Sequence, residues 1–396
     1  MNRKVHRTTA SHAARSVLML SLMAHAGLAQ ESPRPMTLTL QFGGAAETRA
    51  DVTSVPALAV DQAGQIFIAQ PQEYLIRVVD QKGSPVRTIG RRGAGPGEFQ
   101  AISRMGLLGD TLWVFDVPQR RFTMFSLDGT SSETIRFTPA LHRLSVRPIG
   151  VLAGWGVLEA GALSSNDILA GLPREVPVLL TDRAGSAHTL ITTISTDKHT
   201  IVFPMAAGGH RALWPTRLTE AFSDDPILRV AASGRGFLIV TRPLAAEPIG
   251  ATFRITKYTS EGAVAWTRTI PYEPLSASRR HVDTLMANLI DWQVGRNTFA
   301  NRPAAEASIR RGISLPRYYP AVTDAVLGRD GSVWLRGPLT GGPDVVWTVL
   351  DSEGMPVDRV VLPYAVTVFE AERTAIWGTR LDADDVPIVV RYDAHR

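Results

Sequence analysis

The sequence predicts an all-β protein, a six-bladed β-propeller whose last blade is closed by an N-terminal strand and which carries one helical insertion. Three observations predict this fold. Short strands rich in Val, Ile, Trp, Phe and Thr recur along the chain, Asp/Gly turns bound them, and the last recurring unit is one strand short. A helical solenoid would need a period of 3.6 residues within each unit, and that period occurs in one insertion only.

The first 29 residues have the pattern of an export signal. Basic residues come first, at Arg3, Lys4, Arg7 and Arg15, and the short apolar run VLMLSLMA leads into small residues ending at Ala29. This order predicts a secretory signal peptide cleaved after Ala29. The apolar run is about half of the roughly 20 residues that cross a bilayer, so we expect no membrane span. Residues 30–396 are then a single exported domain, periplasmic or extracellular.

Charge and cysteine content exclude several classes of function. The signal segment holds four of the 42 Lys and Arg residues and none of the 37 Asp and Glu residues, so the rest of the chain is close to neutral. Without a block of positive charge, nucleic acid is not an expected partner. The chain has no cysteine, which removes disulfides, thiolate catalysis and cysteine metal sites.

Each recurring sequence unit is predicted to form one blade. Their second strands are predicted to begin at Ile66, Leu112, Val157, Phe237, Val333 and Ala375. Three of the five steps are close to 45 residues, the length of one four-stranded blade, and two carry insertions of about 35 and 50 residues. The second insertion, at about 273–318, contains the helical pattern.

The first and last strands of the chain are predicted to share the sixth blade. The last unit ends after three strands, and an open edge would invite pairing with another chain. Residues 36–42, MTLTLQF, form a strand pattern outside the other units. We expect this strand to complete the blade.

One connector is unusually rich in glycine. Residues 90–99, GRRGAGPGEF, join the outer strand of one blade to the inner strand of the next. Glycine permits backbone conformations closed to other residues and Pro96 restricts the path, so Gly93, Gly95, Pro96 and Gly97 are predicted to be structural. Phe99 is predicted to pack between neighbouring blades.

This connector and the strands after it, residues 90–129, resemble the NHL-repeat family of six-bladed propellers. The shared features are a G-x-G-P-G-x-F connector, a strand ending in Asp116 and an Arg-led strand before an Asp-Gly turn. Gln70 stands where the family usually has that aspartate. The resemblance implies the fold and no particular function, because propellers host enzymes, receptors and scaffolds alike.

The long loops are predicted to share one face, and they contain the candidate binding residues. Both insertions link one blade to the next, so they lie at the same end of the channel as the turns after second strands. The helix in 273–318 has apolar residues at three- and four-residue spacing. It either packs on the propeller's end or covers a ligand funnel. In the second case Arg279, Arg280, His281 and Arg296 would contact an anionic ligand.

The function that the sequence favours is non-catalytic binding of a protein, peptide or glycan on that face by a monomeric exported propeller. The alternative is a metal-assisted hydrolase or lyase of the lactonase-like kind, with a divalent cation in the central channel. No cofactor is predicted, and no metal ligands are assigned, because no histidine has a partner at a spacing such as H-E-x-x-H. No catalytic residue is assigned either, since the nucleophile motif G-x-S-x-G does not occur. Few Asn residues are available to hold a cation, which favours binding.

Overall fold

Strands that pair with their sequence neighbours make up most of the protein in its computed structural model. The structure describes residues 32–45, 52–130, 132–136, 145–154, 156–162, 174–182, 184, 186–195, 201–204, 211–214, 222–245, 247, 249–295, 301–312 and 316–394. The predicted signal peptide lies outside these residues and stays a prediction. None of the helices in the described ranges is long and apolar enough to cross a membrane.

Six sheets form the six blades, each built on four antiparallel strands, which confirms the predicted fold class. Two N-terminal strands come first, β1 (Arg34–Pro35) and β2 (Thr37–Gly43). Blade 1 contains β3 (Leu58–Val60), β4 (Ile66–Gln70), β5 (Leu75–Val79) and β6 (Pro85–Ile89). Two short connector strands follow, β7 (Arg91–Arg92) and β8 (Glu98–Phe99). Blade 2 contains β9 (Ile102–Leu108), β10 (Thr111–Asp116), β11 (Arg121–Ser126) and β12 (Ser132–Arg136).

The remaining blades follow in chain order. Blade 3 contains β13 (Ser145–Val151), β14 (Val157–Ala162), β15 (Arg174–Thr181) and β16 (Ala187–Ser195), and a hairpin of β17 (Ile201–Pro204) and β18 (Arg211–Trp214) comes after it. Blade 4 contains β19 (Ile227–Val230), β20 (Gly236–Thr241), β21 (Thr252–Thr259) and β22 (Val264–Pro271). Two helices come next, α1 (Arg279–Gly295) and α2 (Arg302–Gly312). Blade 5 contains β23 (Asp324–Leu327), β24 (Val333–Arg336), β25 (Asp344–Leu350) and β26 (Pro356–Pro363). Blade 6 contains β27 (Thr367–Glu372), β28 (Ala375–Leu381) and β29 (Pro387–Asp393).

The N-terminal strands close the ring. Strand β2 pairs antiparallel with β29, from Thr37 opposite Asp393 to Gly43 opposite Ile388, so it supplies the fourth strand of blade 6 as predicted. Strand β1 pairs in parallel with β26, with Arg34 opposite Val360, and adds a fifth strand to blade 5. No sequence pattern predicted β1. One short segment therefore joins the outer edges of two blades.

Burial within a blade explains the strand sequences. The second strand is covered on both faces by neighbouring blades, so every residue of β4, IFIAQ, is buried. The outer strand β6, PVRTI, is largely exposed. The innermost strands of successive blades contact one another all round the axis, including β27 with β3. The core consequently lies between blades.

Candidate functional site

The direction of the strands sorts the loops onto two ends of the propeller. Turns after first and third strands lie at one end, here called the short-turn face, as at 61–65 and 80–84 in blade 1 and 328–332 in blade 5. Turns after second strands and the links between blades lie at the other end, here called the long-loop face. Residues 242–245 and 249–251, both helices and residues 337–343 belong to it. The two helices lie in one link, between blades 4 and 5.

Helix α1 is packed firmly onto the propeller. Met286, Leu289 and Ile290 are buried in one cluster with Trp334 and Trp347 of blade 5. Their spacing of three and four residues places them along one side of the helix. The apolar stripe therefore seals the end of blades 5 and 6, the first of the two arrangements that the sequence left open.

His281 is part of this packing. Its residue is only 9 % exposed, and its Nδ1 lies 2.8 Å from the hydroxyl oxygen of Tyr319. The same hydroxyl oxygen accepts a hydrogen bond from the Ser278 backbone N–H at 3.1 Å, and Phe222 stacks on the Tyr319 ring with centroids 5.2 Å apart. Burial lowers the pKa of His281 and raises that of Tyr319, so both rings are favoured in their neutral forms.

Arg279 and Arg280 lie on the surface at the first turn of α1. The helix begins after Ser278, whose hydroxyl oxygen accepts the His281 N–H at 3.4 Å. Arg296, the fourth residue of the predicted group, lies outside the described residues. The structure thus brings two exposed guanidinium groups to the helix start and turns the neighbouring histidine inwards. Their role in ligand binding stays a prediction.

A buried arginine near the long-loop face was not singled out in the sequence. Arg242 follows β20 and donates to the carbonyl oxygens of Asp225 at 2.8 Å and Val322 at 2.7 Å. Burial lowers its pKa to about 10, opposed by the carboxylates of Asp225, Asp224 and Asp324. The guanidinium group therefore ties the chain entering blade 4 to the chain entering blade 5. No local motif marks it, because its partners are backbone carbonyls distant in sequence.

The glycine-rich connector folds back on itself between blades 1 and 2. Strands β7 and β8 pair in parallel, with Arg91 opposite Glu98. The Glu98 carboxylate accepts the Gly95 N–H at 2.8 Å and the Arg91 Nε–H at 3.0 Å, and these two bonds lower its pKa. Gly93, Pro96 and Gly97 belong to the loop that β7 and β8 bracket, and Gly97 has φ +71°. Phe99 is fully buried in a cluster with side chains of both blades, and its ring centroid lies 5.8 Å from that of Phe125.

Polar side chains at the ends of second strands hold the connectors. In blade 2, Asp116 accepts the Gln100 N–H at 2.7 Å. In blade 1, Gln70 accepts the Thr53 N–H at 2.9 Å and donates to the Ser54 carbonyl oxygen at 2.7 Å. Gln70 therefore makes the same kind of contact as the aspartate that it replaces.

A donor set for a metal ion is not formed by the described residues, which contain no group of three or more His, Asp or Glu side chains placed to hold one. Two buried carboxyl groups do occur. Glu159 in β14 has no exposed surface, and Glu370 in β27 is 4 % exposed. Burial raises the pKa of both groups, that of Glu370 to about 8. Burial thus shifts both groups towards the neutral acid, opposed at Glu159 by the Thr181 hydroxyl group and at Glu370 by the charge of Arg329.

Comparison with known proteins adds a distant structural likeness. The sequence matches no protein-family profile and no curated protein. A solved member of the DUF4221 family from Bacteroides vulgatus is similar over 91 % of this chain and 98 % of its own, at 9 % identity and a TM-score of 0.47. Virginiamycin B lyase from Staphylococcus aureus is similar over 91 % and 100 %, at 9 % identity and a TM-score of 0.39. A gluconolactonase from Xanthomonas campestris is similar over 91 % and 98 %, at 11 % identity and a TM-score of 0.41.

Proposed function

We propose that the protein is an exported, non-catalytic propeller that binds a protein, peptide or glycan on its long-loop face. The observation that carries the proposal is the distribution of exposed apolar side chains. Eight large ones are exposed among the described residues. Five belong to the long-loop face by their position in the blades: Val117, Ile249, Leu275, Tyr364 and Leu381. An excess of exposed apolar side chains on one face supports an interaction surface there.

The other three exposed apolar residues lie elsewhere. Leu38 and Val86 belong to outer strands, and Val264 begins the outer strand of blade 4 at the short-turn face. Among the described residues the two faces therefore differ in their exposed apolar side chains, and this difference favours the long-loop face as the binding face.

The chemistry around the start of α1 supports a ligand with both apolar and acidic groups. Leu275 is 49 % exposed, and it lies four and five residues before the exposed Arg279 and Arg280. A helix N-terminus and two guanidinium groups favour carboxylate or sulfate oxygens. Because α1 is held by buried side chains and by the Tyr319 hydroxyl group, this surface is presented without prior rearrangement.

A panel of peptides and glycans, followed by footprinting of the complex, tests the proposal. We expect protection at the long-loop face, and weaker binding for Leu275→Ser and for the double variant Arg279→Ala with Arg280→Ala. Val264→Ser is the matched control, because it changes a similarly exposed apolar residue on the other face. Protection confined to the turns around Asp80, Asp128 and Asp351 would contradict the proposal.

Export and metal content are measured separately. N-terminal sequencing of the protein recovered from a bacterial periplasm or medium is expected to begin at Gln30. Elemental analysis of the same sample decides whether a divalent cation is bound. If the protein hydrolyses lactones and needs such a cation to do so, the proposal of non-catalytic binding gives way to that of a metal-assisted hydrolase.

We also propose kinship with NHL repeats for residues 90–129. Asp116 accepts a backbone N–H of the segment that follows the connector, and Arg121 donates to carbonyl oxygens of the connector itself. The motif residues thus share one structural role, which is to hold the connector in place. The contact made by Gln70 supports extending the kinship to blade 1.

A further inference from the structure

A cavity of about 240 Å³ lies at the short-turn face between blades 6 and 1. Asp61 and Gln62, in the first turn of blade 1, form one side of it. Trp377 of β28 and Arg391 of β29 form the other, and Arg329 reaches in from the first turn of blade 5. The cavity is thus built by three blades, at the end of the propeller opposite the proposed binding face.

Rigid contacts hold the two arginines. Arg329 donates from Nη1 to the Asp61 carbonyl oxygen at 3.0 Å and from Nη2 to Glu372 at 2.9 Å. Arg391 donates from Nε at 3.1 Å and from Nη2 at 2.9 Å to one oxygen of Asp393. Both guanidinium groups lie over the Trp377 ring, 4.8 and 5.0 Å from its centroid. Such stacking fixes their positions before any ligand arrives.

The charges of the side chains that line the cavity sum to zero. Two are arginines, Arg329 and Arg391, and two are carboxylates, Asp61 and Glu372. Each guanidinium group already has a carboxylate partner, in Glu372 and Asp393. The Asp61 carboxylate in turn accepts the Gln65 N–H at 2.7 Å. Because the four lining charges sum to zero, a neutral ligand suits the cavity better than a charged one.

Unused hydrogen-bonding capacity of both kinds remains in the lining. Arg391 uses Nε and Nη2 for Asp393, which leaves Nη1 as a donor. Glu372 uses one carboxylate oxygen for Arg329, and Gln81 uses its amide N–H for the Ala63 carbonyl oxygen at 2.6 Å, so each retains an oxygen that can accept. A hydroxyl group donates and accepts at once, so a polyol can use such a mixed lining.

The cavity is small and mostly polar. Leu40 and the little exposed Trp377 supply a minor apolar part of its lining. At about 30 Å³ per water molecule, the volume corresponds to about eight waters, and it falls below the range of about 300–1,000 Å³ typical of drug-sized ligands. It is therefore suited to one small ring that carries several hydroxyl groups.

We propose that this cavity binds a single neutral sugar ring, at a site separate from the long-loop face. The site is defined by the compensated Arg329–Glu372 and Arg391–Asp393 pairs, the Trp377 wall and the polar turn at Asp61 and Gln62. It does not depend on the ligand of the long-loop face.

Saturation-transfer NMR and calorimetry with D-glucose, D-galactose and D-mannose test the proposal, with D-glucuronate and D-glucosamine as charged counterparts. We expect at least one neutral hexose to bind, and its charged counterpart to bind at least about tenfold more weakly. Binding of no neutral hexose would overturn the proposal. So would equal or tighter binding of the anionic or cationic sugar, which would indicate an ion site.

Two variants locate the site. Gln62 is exposed, so Gln62→Trp should fill the cavity mouth without disturbing the core and abolish sugar binding. Glu353→Trp, at an exposed turn position on the same face in blade 5, is the matched control and should leave binding unchanged. If Gln62→Trp does not fold, Gln62→Ala should weaken binding severalfold. Leu275→Ser should leave sugar binding intact, and sugar binding that survives Gln62→Trp in the folded protein would reject the site.

Discussion

Arg121 and Gly95 are joined by a hydrogen bond of 2.8 Å, donated by guanidinium Nη2 to the backbone carbonyl oxygen. Nη1 of the same group donates to the Ala94 carbonyl oxygen at 2.9 Å, and Nη2 also donates to that of Glu98. The arginine is only 8 % exposed. One side chain of blade 2 thus satisfies three carbonyl groups of the connector that enters the blade.

Replacing Arg121 should loosen this connector. Lysine keeps the charge and loses the planar fork, so we expect Arg121→Lys to lower the free energy of unfolding by about 2 kcal/mol. Chemical denaturation measures the change. Arg120→Lys, at the exposed neighbouring position, should be neutral, and equal stability of the two variants would contradict the role given to Arg121.

Two glycines of the connector should respond differently to alanine. Gly97 has φ +71°, so Gly97→Ala should cost about 1 kcal/mol of stability. Gly95 has no positive φ, and a Cβ there would lie 3.0 Å from the end of the flexible Glu98 side chain. Gly95→Ala should therefore cost less. Thermal melts of both variants test the order, and no change in either would contradict the structural role of the connector.

Removing the closing strand should open the ring. A chain beginning at Gly44 lacks β1 and β2 and leaves the edge of β29 unpaired. It also loses Phe42, which is 2 % exposed in the core between blades 6 and 1. We expect a lower Tm or aggregation, detected by calorimetry and size-exclusion chromatography. A chain beginning at Arg34 keeps both strands and should match the full mature protein.

The buried Glu370 should make stability depend on pH. Burial raises its pKa from the ordinary 4.5 to about 8, against the opposing charge of Arg329. The folded state therefore keeps a proton that the unfolded chain has lost. This contribution to stability is complete below pH 4.5 and falls by up to about 1.4 kcal/mol per pH unit as the pH rises to 8.

Glu370→Gln should remove that dependence, because the amide resembles the neutral acid. The variant is expected to be more stable than the parent at pH 8 and close to it at pH 4.5, as measured by denaturant unfolding at both values. Glu353→Gln, at an exposed turn, serves as the control. An unchanged difference between the two pH values would show that Glu370 ionises normally in the folded protein.

The fold was predictable because its strands have local sequence patterns that recur from unit to unit. The second strands predicted at Ile66, Val157, Val333 and Ala375 begin at those residues, and the other two begin one residue earlier, at Thr111 and Gly236. The same order of strands and Asp-containing turns recurs from blade to blade, so each unit supports the assignment of the others. Because the last unit lacks a fourth strand, the sequence also predicted that an N-terminal strand closes the ring.

Features without such a pattern were missed. Strand β1 has two residues, too few to show alternation. Helix α2, RPAAEASIRRG, has few apolar residues, although Asn301 caps it by accepting the Ala304 N–H at 2.9 Å. The cavity between blades 6 and 1 joins Asp61 to Arg329 and Trp377, residues that become neighbours only when the ring closes. No local sequence rule brings them together.

Closure by β2 also has a consequence for how the chain acquires its structure. Thr39 of β2 bonds to Arg391 of β29 across 352 residues of sequence. Each blade's internal hairpins can form from local contacts, but this pairing must wait until nearly the whole chain has been synthesised. Until the two strands meet, β2 is unpaired, and so is the edge of β29 once it has been made; either can recruit a strand from another nascent chain. The protein is thus most exposed to aggregation with other copies of the same chain in the interval before the ring closes.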